Sequence, residues 1–392
     1  MTRPVATAAF AAALLMLTGR TAAGQAVTGA LSNLLTDTGS LPSGFVADPA
    51  AAAATRDAVA DLFVVEIGTM PLVSSSAGFV YRLNPAIGVI ERTSNTFGAF
   101  YTERAVRSGR GQTSFGLTHQ SSSFGSLQGA SLEDGAFPTT AVRSAGSAQP
   151  FGRDNLALSL EARTTTAFAA IGVTDRLDVN VAIPMVAVTF NGRRTTTVAG
   201  QTSLQAARAG RASGVGDATI AARYALTGNG PRGVAVGADL RLPTGREEDL
   251  LGAGKAAARF IGIASWEAGR VGVHGNAGGG VGGLSRELFW AGATTIAVTP
   301  RVTAVGEVTG RRLSALAVLG DVYAPHSSVA GLETMRWVPV GRGVHTTFLV
   351  TGVKVNVAGG LLLNGSVLVR LSDNGLRARV TPNLSFSYAF DR

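Results

Sequence analysis

Cysteine is absent from this 392-residue chain, which excludes a disulfide framework and any zinc site built on thiolates. Lysine is nearly absent too. No Lys/Arg run with interleaved aromatics occurs, so the formal net charge of +9 (34 basic less 25 acidic residues) does not point to nucleic acid as a partner. Proline is sparse beside the 51 glycines, which excludes a collagen, and a hydrophobic content of 46% excludes a disordered chain. Beyond the N-terminus no apolar run is long enough for a transmembrane helix. Charged residues make up only 15% and aromatics only 6%.

What is present begins with a leader. Arg3 supplies a positive start, Ala8 to Leu17 (AAFAAALLML) is apolar, and small residues follow, with cleavage expected between Ala22 and Ala26. Charge, short apolar run and small residues in that order predict a secretory signal peptide over residues 1–26, too short to span a bilayer. Residues 27–106 read as an N-terminal extension. They hold a short helix around Pro49–Phe63 and an apolar, aromatic stretch (Phe79, Tyr81, Leu83, Phe97, Phe100, Tyr101) that either adds two strands or folds inside as a plug.

From about residue 107 the texture is strands. Val234, Val236, Ala238, Leu240 and Leu242 oppose Asp239 and Arg241; Val271, Val273, Ala277 and Val281 oppose Arg270, His274 and Asn276. Leu177, Val179, Val181 and Ile183 oppose Asp178 and Asn180, and Leu156, Leu158 and Leu160 oppose Glu161 and Arg163. Period two over many segments means strands with two chemically different faces. Twelve are predicted, at 111–123, 155–173, 176–190, 214–226, 232–242, 255–267, 270–281, 287–298, 301–312, 343–357, 361–371 and 376–390. Short turns (Thr174–Asp175, Thr227–Pro231, Ala268–Gly269, Thr299–Pro300, Ala358–Gly360) alternate with longer links (Asn191–Ser213, Pro243–Gly254, Gly282–Arg286, Leu313–Gly341, Ser372–Gly375).

An even number of strands with that asymmetry predicts an all-β chain: an antiparallel up-and-down transmembrane β-barrel over 107–392, twelve-stranded or, with residues 77–106, fourteen-stranded. Lipid offers no hydrogen bonds, so only a closed sheet satisfies the backbone. The apolar faces would meet lipid and the polar faces line the interior. The expected lining is Arg163, Asp178, Arg223, Asp239, Arg241, Arg259, Arg270, His274, Asn276, Glu307, Arg370 and Arg379. About ten arginines against about six acids on that face favour anionic solutes if they stay unpaired, and simply fill the interior if they pair. Tyr224, Trp266, Trp290, Phe386, Tyr388 and Phe390 can supply a sparse aromatic girdle. Phe386, Tyr388 and Phe390 also alternate as in the C-terminal strand by which outer-membrane barrels are recognised for assembly, although Asp391 and Arg392 follow here.

The stretches IGVTDRLDVNVAIPMVAV, GVGDATIAARYAL and GPRGVAVGADLRLPTGRE, then a Gly-rich hairpin and TPRVTAVGEV, resemble the phenol meta-pathway degradation family of outer-membrane proteins. The resemblance covers about Asn155 to Phe390, with a weaker match around Phe97–Gln120. It implies an outer-membrane barrel that takes up small hydrophobic or aromatic molecules, and it carries over no individual substrate residue.

Little else suggests chemistry. His119, His274, His326 and His345 show no metal-ligand spacing, and no serine shares a strand with His274, so only neighbouring strands can offer it a nucleophile. Gly228–Gly233 fits GxGxxG but links two strands, and Gly278–Gly283 reads as a strand end with close backbone packing. No catalytic residue, cofactor or metal is expected. The expected partners are outer-membrane lipid, the assembly machinery and a small-molecule solute. The expected role is a passive outer-membrane channel in a Gram-negative-type bacterium. The other reading is a non-transporting structural barrel that uses loops 124–154, 191–213 and 313–341 as contact surfaces.

Overall fold

The computed structural model describes residues 26–68, 81–84, 89–92, 94–227, 232–341 and 343–390. The expected signal peptide, apart from Ala26, and the turn at Gly228–Pro231 lie outside the described residues.

Twelve antiparallel strands close a barrel. They are β1 (Thr113–Leu127), β2 (Gly152–Gly172), β3 (Leu177–Val198), β4 (Thr219–Ala225), β5 (Arg232–Arg241), β6 (Ala257–Ala268), β7 (Val271–Gly282), β8 (Glu287–Thr299), β9 (Val302–Leu313), β10 (Val344–Ala358), β11 (Leu361–Arg370) and β12 (Val380–Phe390). Each pairs with the next, and β12 returns to β1 with Phe390 opposite Thr113 and Tyr388 opposite Phe115. All twelve predicted segments are staves of this barrel. The fourteen-strand alternative is not realised: Tyr81–Asn84 pairs only with Val89–Arg92, in a separate two-stranded sheet.

The outer wall carries the apolar belt. On β8 the outward residues Leu288, Trp290, Ile296 and Val298 are exposed, while Phe289, Ala293, Thr295 and Ala297 between them are buried. From 288 to 298 are ten steps of about 3.3 Å, and at a tilt of about 40° they span roughly 25 Å, the height of a lipid-facing band. Val234, Val236, Leu240, Val271, Val273, Leu349, Val353 and Leu363 continue the belt around the barrel. Its short-turn edge carries Tyr224 and Trp266, and a cluster of Phe115, Tyr388 and Phe390 with ring centroids 5.0–6.1 Å apart. Trp290 and Phe260 mark the other edge. A closed sheet with such a belt is a membrane-spanning barrel. Thr294→Arg, near the middle of the β8 belt, is expected to cost about 2–4 kcal/mol. Urea unfolding in lipid vesicles should show that loss, whereas a variant as stable as the parent would mean that this face does not meet lipid.

The belt ends where β2 and β3 run on past it. Outward residues change from Ala167, Ala169 and Ile171 to Ser159, Glu161 and Arg163 on β2, and from Ile183 and Met185 to Thr189, Asn191 and Arg193 on β3. The overhanging strands form a collar with Gln201–Val215, Phe137–Ser144 and the hairpin Leu319–Pro325/Leu332–Pro339. The long links are therefore largely β-structure.

Two helices sit against this collar, α1 (Val27–Thr36) and α2 (Pro49–Gly68). Leu34, Leu62 and Phe63 are buried with Leu156, Leu158, Leu160, Phe190 and Trp337, and Phe137 stacks on Trp337 at 5.1 Å. This corrects the reading of Leu156, Leu158 and Leu160 as a lipid face: they point inward, against the helices. The helix around Pro49–Phe63 is present and extends to Gly68, whereas α1 was not expected from the sequence.

Asp48 caps α2. Its Oδ1 accepts from the amides of Ala50 and Ala51 at 3.1 Å each, and its Oδ2 accepts from the Ser327 amide at 3.2 Å. Burial alone would raise its pKa, but hydrogen bonds from Ser327, Ala51 and Thr334 outweigh it and hold the carboxyl below its usual range. A depressed folded pKa stabilises above the unfolded value and loses that contribution as pH falls through the folded one. Hydrogen-exchange protection of residues 50–56, corrected for intrinsic rates, is thus expected to drop below about pH 4. In Asp48→Asn that acid-side drop should vanish, and its persistence would assign it to another group.

Candidate functional site in the barrel lumen

Residues 94–112 run inside the barrel along the short-turn half, bonded to inward side chains of successive staves. Ser94 Oγ donates to Glu267 Oε2 at 2.5 Å, and the Phe97 amide to Thr303 Oγ1 at 3.1 Å. Glu307 then collects the backbone: its carboxylate accepts from the amides of Phe100 (2.6 Å), Tyr101 (3.1 Å) and Thr102 (2.8 Å), and from Thr102 Oγ1 (2.8 Å). Lys354 Nζ, fully buried on β10, donates to the Ala99 carbonyl at 2.7 Å and lies 4.7 Å from the centre of the Phe100 ring. Further on, the Glu103 amide donates to Asn276 Oδ1 (2.6 Å), the Ala105 amide to Ser265 Oγ (2.8 Å) and the Ser108 amide to Asp178 Oδ2 (3.1 Å). The segment leaves at the short-turn end, where the Arg110 amide donates to Asp175. There Gly172 lies so close to the Gly109 carbonyl that a Cβ would sit 1.8 Å from its oxygen.

Apolar contacts fill between these latches. Phe100 packs with Ala293, Val305, Val350 and Leu368; Ala105 with Ala235, Ile261, Ile263 and Phe289; Phe97 with Leu362 and Ala389. At the collar end, α2 reaches down through Glu66. Arg370 Nη1 and Nη2 meet its two carboxylate oxygens at 3.1 Å each, with Arg311 at 3.8 Å.

Of the twelve expected lining residues, nine face the interior: Asp178, Arg223, Asp239, Arg241, Arg259, His274, Asn276, Glu307 and Arg370. Three do not. Arg163 is on the outer wall above the belt, 63% exposed and paired with Glu161 at 3.2 Å, because β2 has left the lipid by that point and a charge facing out now meets water. Arg270 is exposed in the short turn before β7. Arg379 is also exposed: Leu376 and Ala378 face in, then Thr381 and Asn383, so the in–out alternation slips by one residue at Arg379 and turns its side chain outward. Phe386, Tyr388 and Phe390 are on the outward face of β12.

Most interior charges pair with each other. Arg223 meets Asp239 at 2.5 Å and Glu103 at 3.4 Å, Arg107 meets Asp178 at 3.7 Å, and Arg259 meets Glu287 at 3.1 Å while lying 3.9 Å from the centre of the Phe289 ring. Sequence reading had no means of naming Glu66, Glu103, Arg107, Ser265 and Lys354 as partners. Only Lys354 left a trace, as the one lysine in a strand that carries apolar residues on both faces.

His274 does have a serine within reach, Ser265 Oγ at 3.0 Å from Nδ1, supplied by the neighbouring strand. That hydroxyl already accepts the Ala105 amide, and the other ring nitrogen faces Thr295 Oγ1 at 3.4 Å rather than a carboxylate. The pair thus anchors the inner segment and has no open approach for a substrate. His119 meets Thr165 on the outer wall, His326 meets Val46 and Ser328 in the collar, and His345 is exposed. Among the described residues, no group of three or more His, Asp or Glu is placed to hold a metal ion. Gly278 lies against the Phe260 carbonyl and the Phe289 ring, the close packing expected of that glycine run.

Beside the inner segment a cavity of about 210 Å³ remains. Tyr101 and Glu103 of the inner segment and Val65 of α2 line it, the inner faces of β3–β10 form its wall, and Lys255 and Leu284 belong to the long links at its rim.

No known family profile matches the chain, and no curated protein matches it. Among solved structures, an outer-membrane channel from Pseudomonas putida F1 aligns at 14% identity and a TM-score of 0.42, over 72% of this chain and 96% of that one. The toluene transporter TbuX of Ralstonia pickettii aligns at 11% identity and 0.27, over 72% and 89%. OprB of Pseudomonas putida aligns at 8% identity and 0.29, over 74% and 100%.

Proposed function

We propose that this protein is a passive channel of a Gram-negative-type outer membrane for small hydrophobic or aromatic molecules. In this reading its N-terminal segment is a plug that restricts the lumen, its long links face outward, and Phe386, Tyr388 and Phe390 are the strand features read by the assembly machinery. One observation carries the reading: the interior is occupied by the chain's own N-terminal segment, held by side-chain latches. A barrel serving only as a strut fills its lumen with wall side chains. Here many inward wall positions are small or short (Gly172, Ala221, Ala235, Ala293, Thr295, Thr303, Ser366), and as far as Arg110 the segment is held mainly by wall side chains, joining the strand ladder only at Gly111 and Gln112 against Gly172. It can therefore move without unzipping the barrel.

The test is single-channel conductance in planar bilayers, with and without residues 27–106. A small conductance that grows several-fold on truncation is the expected result. Silence in both forms, with the barrel's heat-modifiable gel migration intact, would overturn the channel reading. It would favour a structural or interaction barrel that presents its β-structured collar to a partner.

A further inference from the structure

The cavity beside the inner segment has more chemistry than a generic apolar passage. Its apolar lining includes Val65, Ile261, Phe289 and Phe348. An apolar cavity of about 150 Å³ already accommodates benzene, so about 210 Å³ holds one ring with a substituent. Of the charges in its wall, Asp239 is taken by Arg223 and Glu287 by Arg259, and those pairs largely cancel. Arg311 lies toward Glu66.

Arg241 differs. Among the described residues no carboxylate pairs with it, and its Nη1 donates to the Gly68 carbonyl at the end of α2 at 3.2 Å. A guanidinium has five N–H donors in a planar fork matched to a carboxylate. A neutral ring entering this cavity would strip water from that fork and give nothing back. A ring bearing a carboxylate would replace the water with two charge-assisted bonds. Lys255, exposed at the rim, adds positive potential where such an anion would enter.

We infer that the cavity binds single-ring aromatic carboxylates, with Arg241 as the specificity-determining cation. This rests on the channel reading and narrows its substrate class. The decisive comparison uses the full chain in detergent, titrated calorimetrically with benzoate, benzyl alcohol and acetate. These probes share the ring, the charge or both. Benzoate is expected to bind at least tenfold more tightly than either of the others. Arg241→Gln should bring benzoate down to the level of benzyl alcohol and leave benzyl alcohol unchanged. Arg241→Lys, which keeps the charge but loses the fork, should fall between. Gel migration of the variants reports whether the barrel is intact, and the ligand comparison on the parent protein needs no variant.

Equal binding of benzoate and benzyl alcohol, acetate as tight as benzoate, no binding at all, or benzoate indifferent to Arg241→Gln would each overturn the inference. Benzyl alcohol binding with conductance in the truncated form would leave the channel standing with a neutral substrate. Silence in bilayers with selective benzoate binding would remove the channel and keep the site.

Discussion

Glu307→Ala is expected to release the inner segment and raise the open probability of the channel by roughly a hundredfold or more. The carboxylate gathers three consecutive backbone amides, Phe100 to Thr102, together with a hydroxyl. Hydrogen bonds to a charged acceptor contribute about 1.5–3 kcal/mol each in favourable cases. Removing the acceptor also strands its donors and leaves the buried Lys354 ammonium with carbonyl and aromatic contacts. Breaking a buried charge arrangement by deleting one member costs about 3–5 kcal/mol, and each 1.4 kcal/mol is about a tenfold shift in an equilibrium. Bilayer recordings measure the open fraction, and limited proteolysis within residues 94–112 measures exposure of the segment; both should rise together. Glu307→Ala/Lys354→Met should be milder than Glu307→Ala alone, because it also removes the buried ammonium whose charge Glu307 offsets. A Glu307→Ala variant that stayed closed and protease-resistant would assign the hold on the segment to its apolar contacts, with Phe100 foremost.

The wall of this protein was legible because period two needs no partner information. Val234 to Leu242 shows one chemical face to lipid and the other to the lumen wherever it stands in the ring, and the same holds for β7, β8 and β12. The rule fails when the outside medium changes. On β2 the sequence alone does not say that lipid ends near Thr165. Leu156, Leu158 and Leu160 are apolar because α1 and α2 lie inside them, and Arg163 is polar because water lies outside it. Arg379 fails for a different reason: one residue's slip in alternation reverses the prediction for a side chain without altering composition. The interior was least legible. Residues 94–112 have no period because they follow the partners the wall presents, and Glu307, Asn276, Ser265 and Asp178 come together only once twelve strands have closed. The basic excess expected for the lumen is smaller than the sequence count, because Arg163, Arg270 and Arg379 are exposed outside it. The acids that neutralise most of it include Glu66 and Glu103, which come from the N-terminal extension and not from the wall.

That origin makes Glu66 the second point at which a single change should act strongly. It lies in the last turn of α2, where the helix dipole disfavours an acid by about 0.3–1 kcal/mol. Its position is explained by what it meets: Arg370 in a two-pronged pair at 3.1 Å and Arg311 at 3.8 Å, all held away from water. Glu66→Ala removes the only carboxylate that Arg370 pairs with among the described residues. Arg370 keeps the carbonyls of Asn374 and Leu376, which satisfy donors but do not neutralise charge. A loss of about 3–5 kcal/mol is expected. It should be confined to the docking of α2, because Glu66 is on no strand and Arg370 joins the barrel ladder through its backbone, which the substitution leaves in place. Hydrogen exchange should therefore rise across residues 50–68 while β8 to β12 stay protected. Glu66→Leu/Arg370→Met should recover most of the protection, since a buried ion pair replaced by apolar groups of similar volume is often neutral. If the single and double variants behave alike, the pair does not couple α2 to the wall, and the helix is held by Leu62, Phe63 and the collar alone. If the single variant also raises conductance, α2 and the inner segment move as one plug, because the chain that leaves Glu66 is the chain that Glu307 holds.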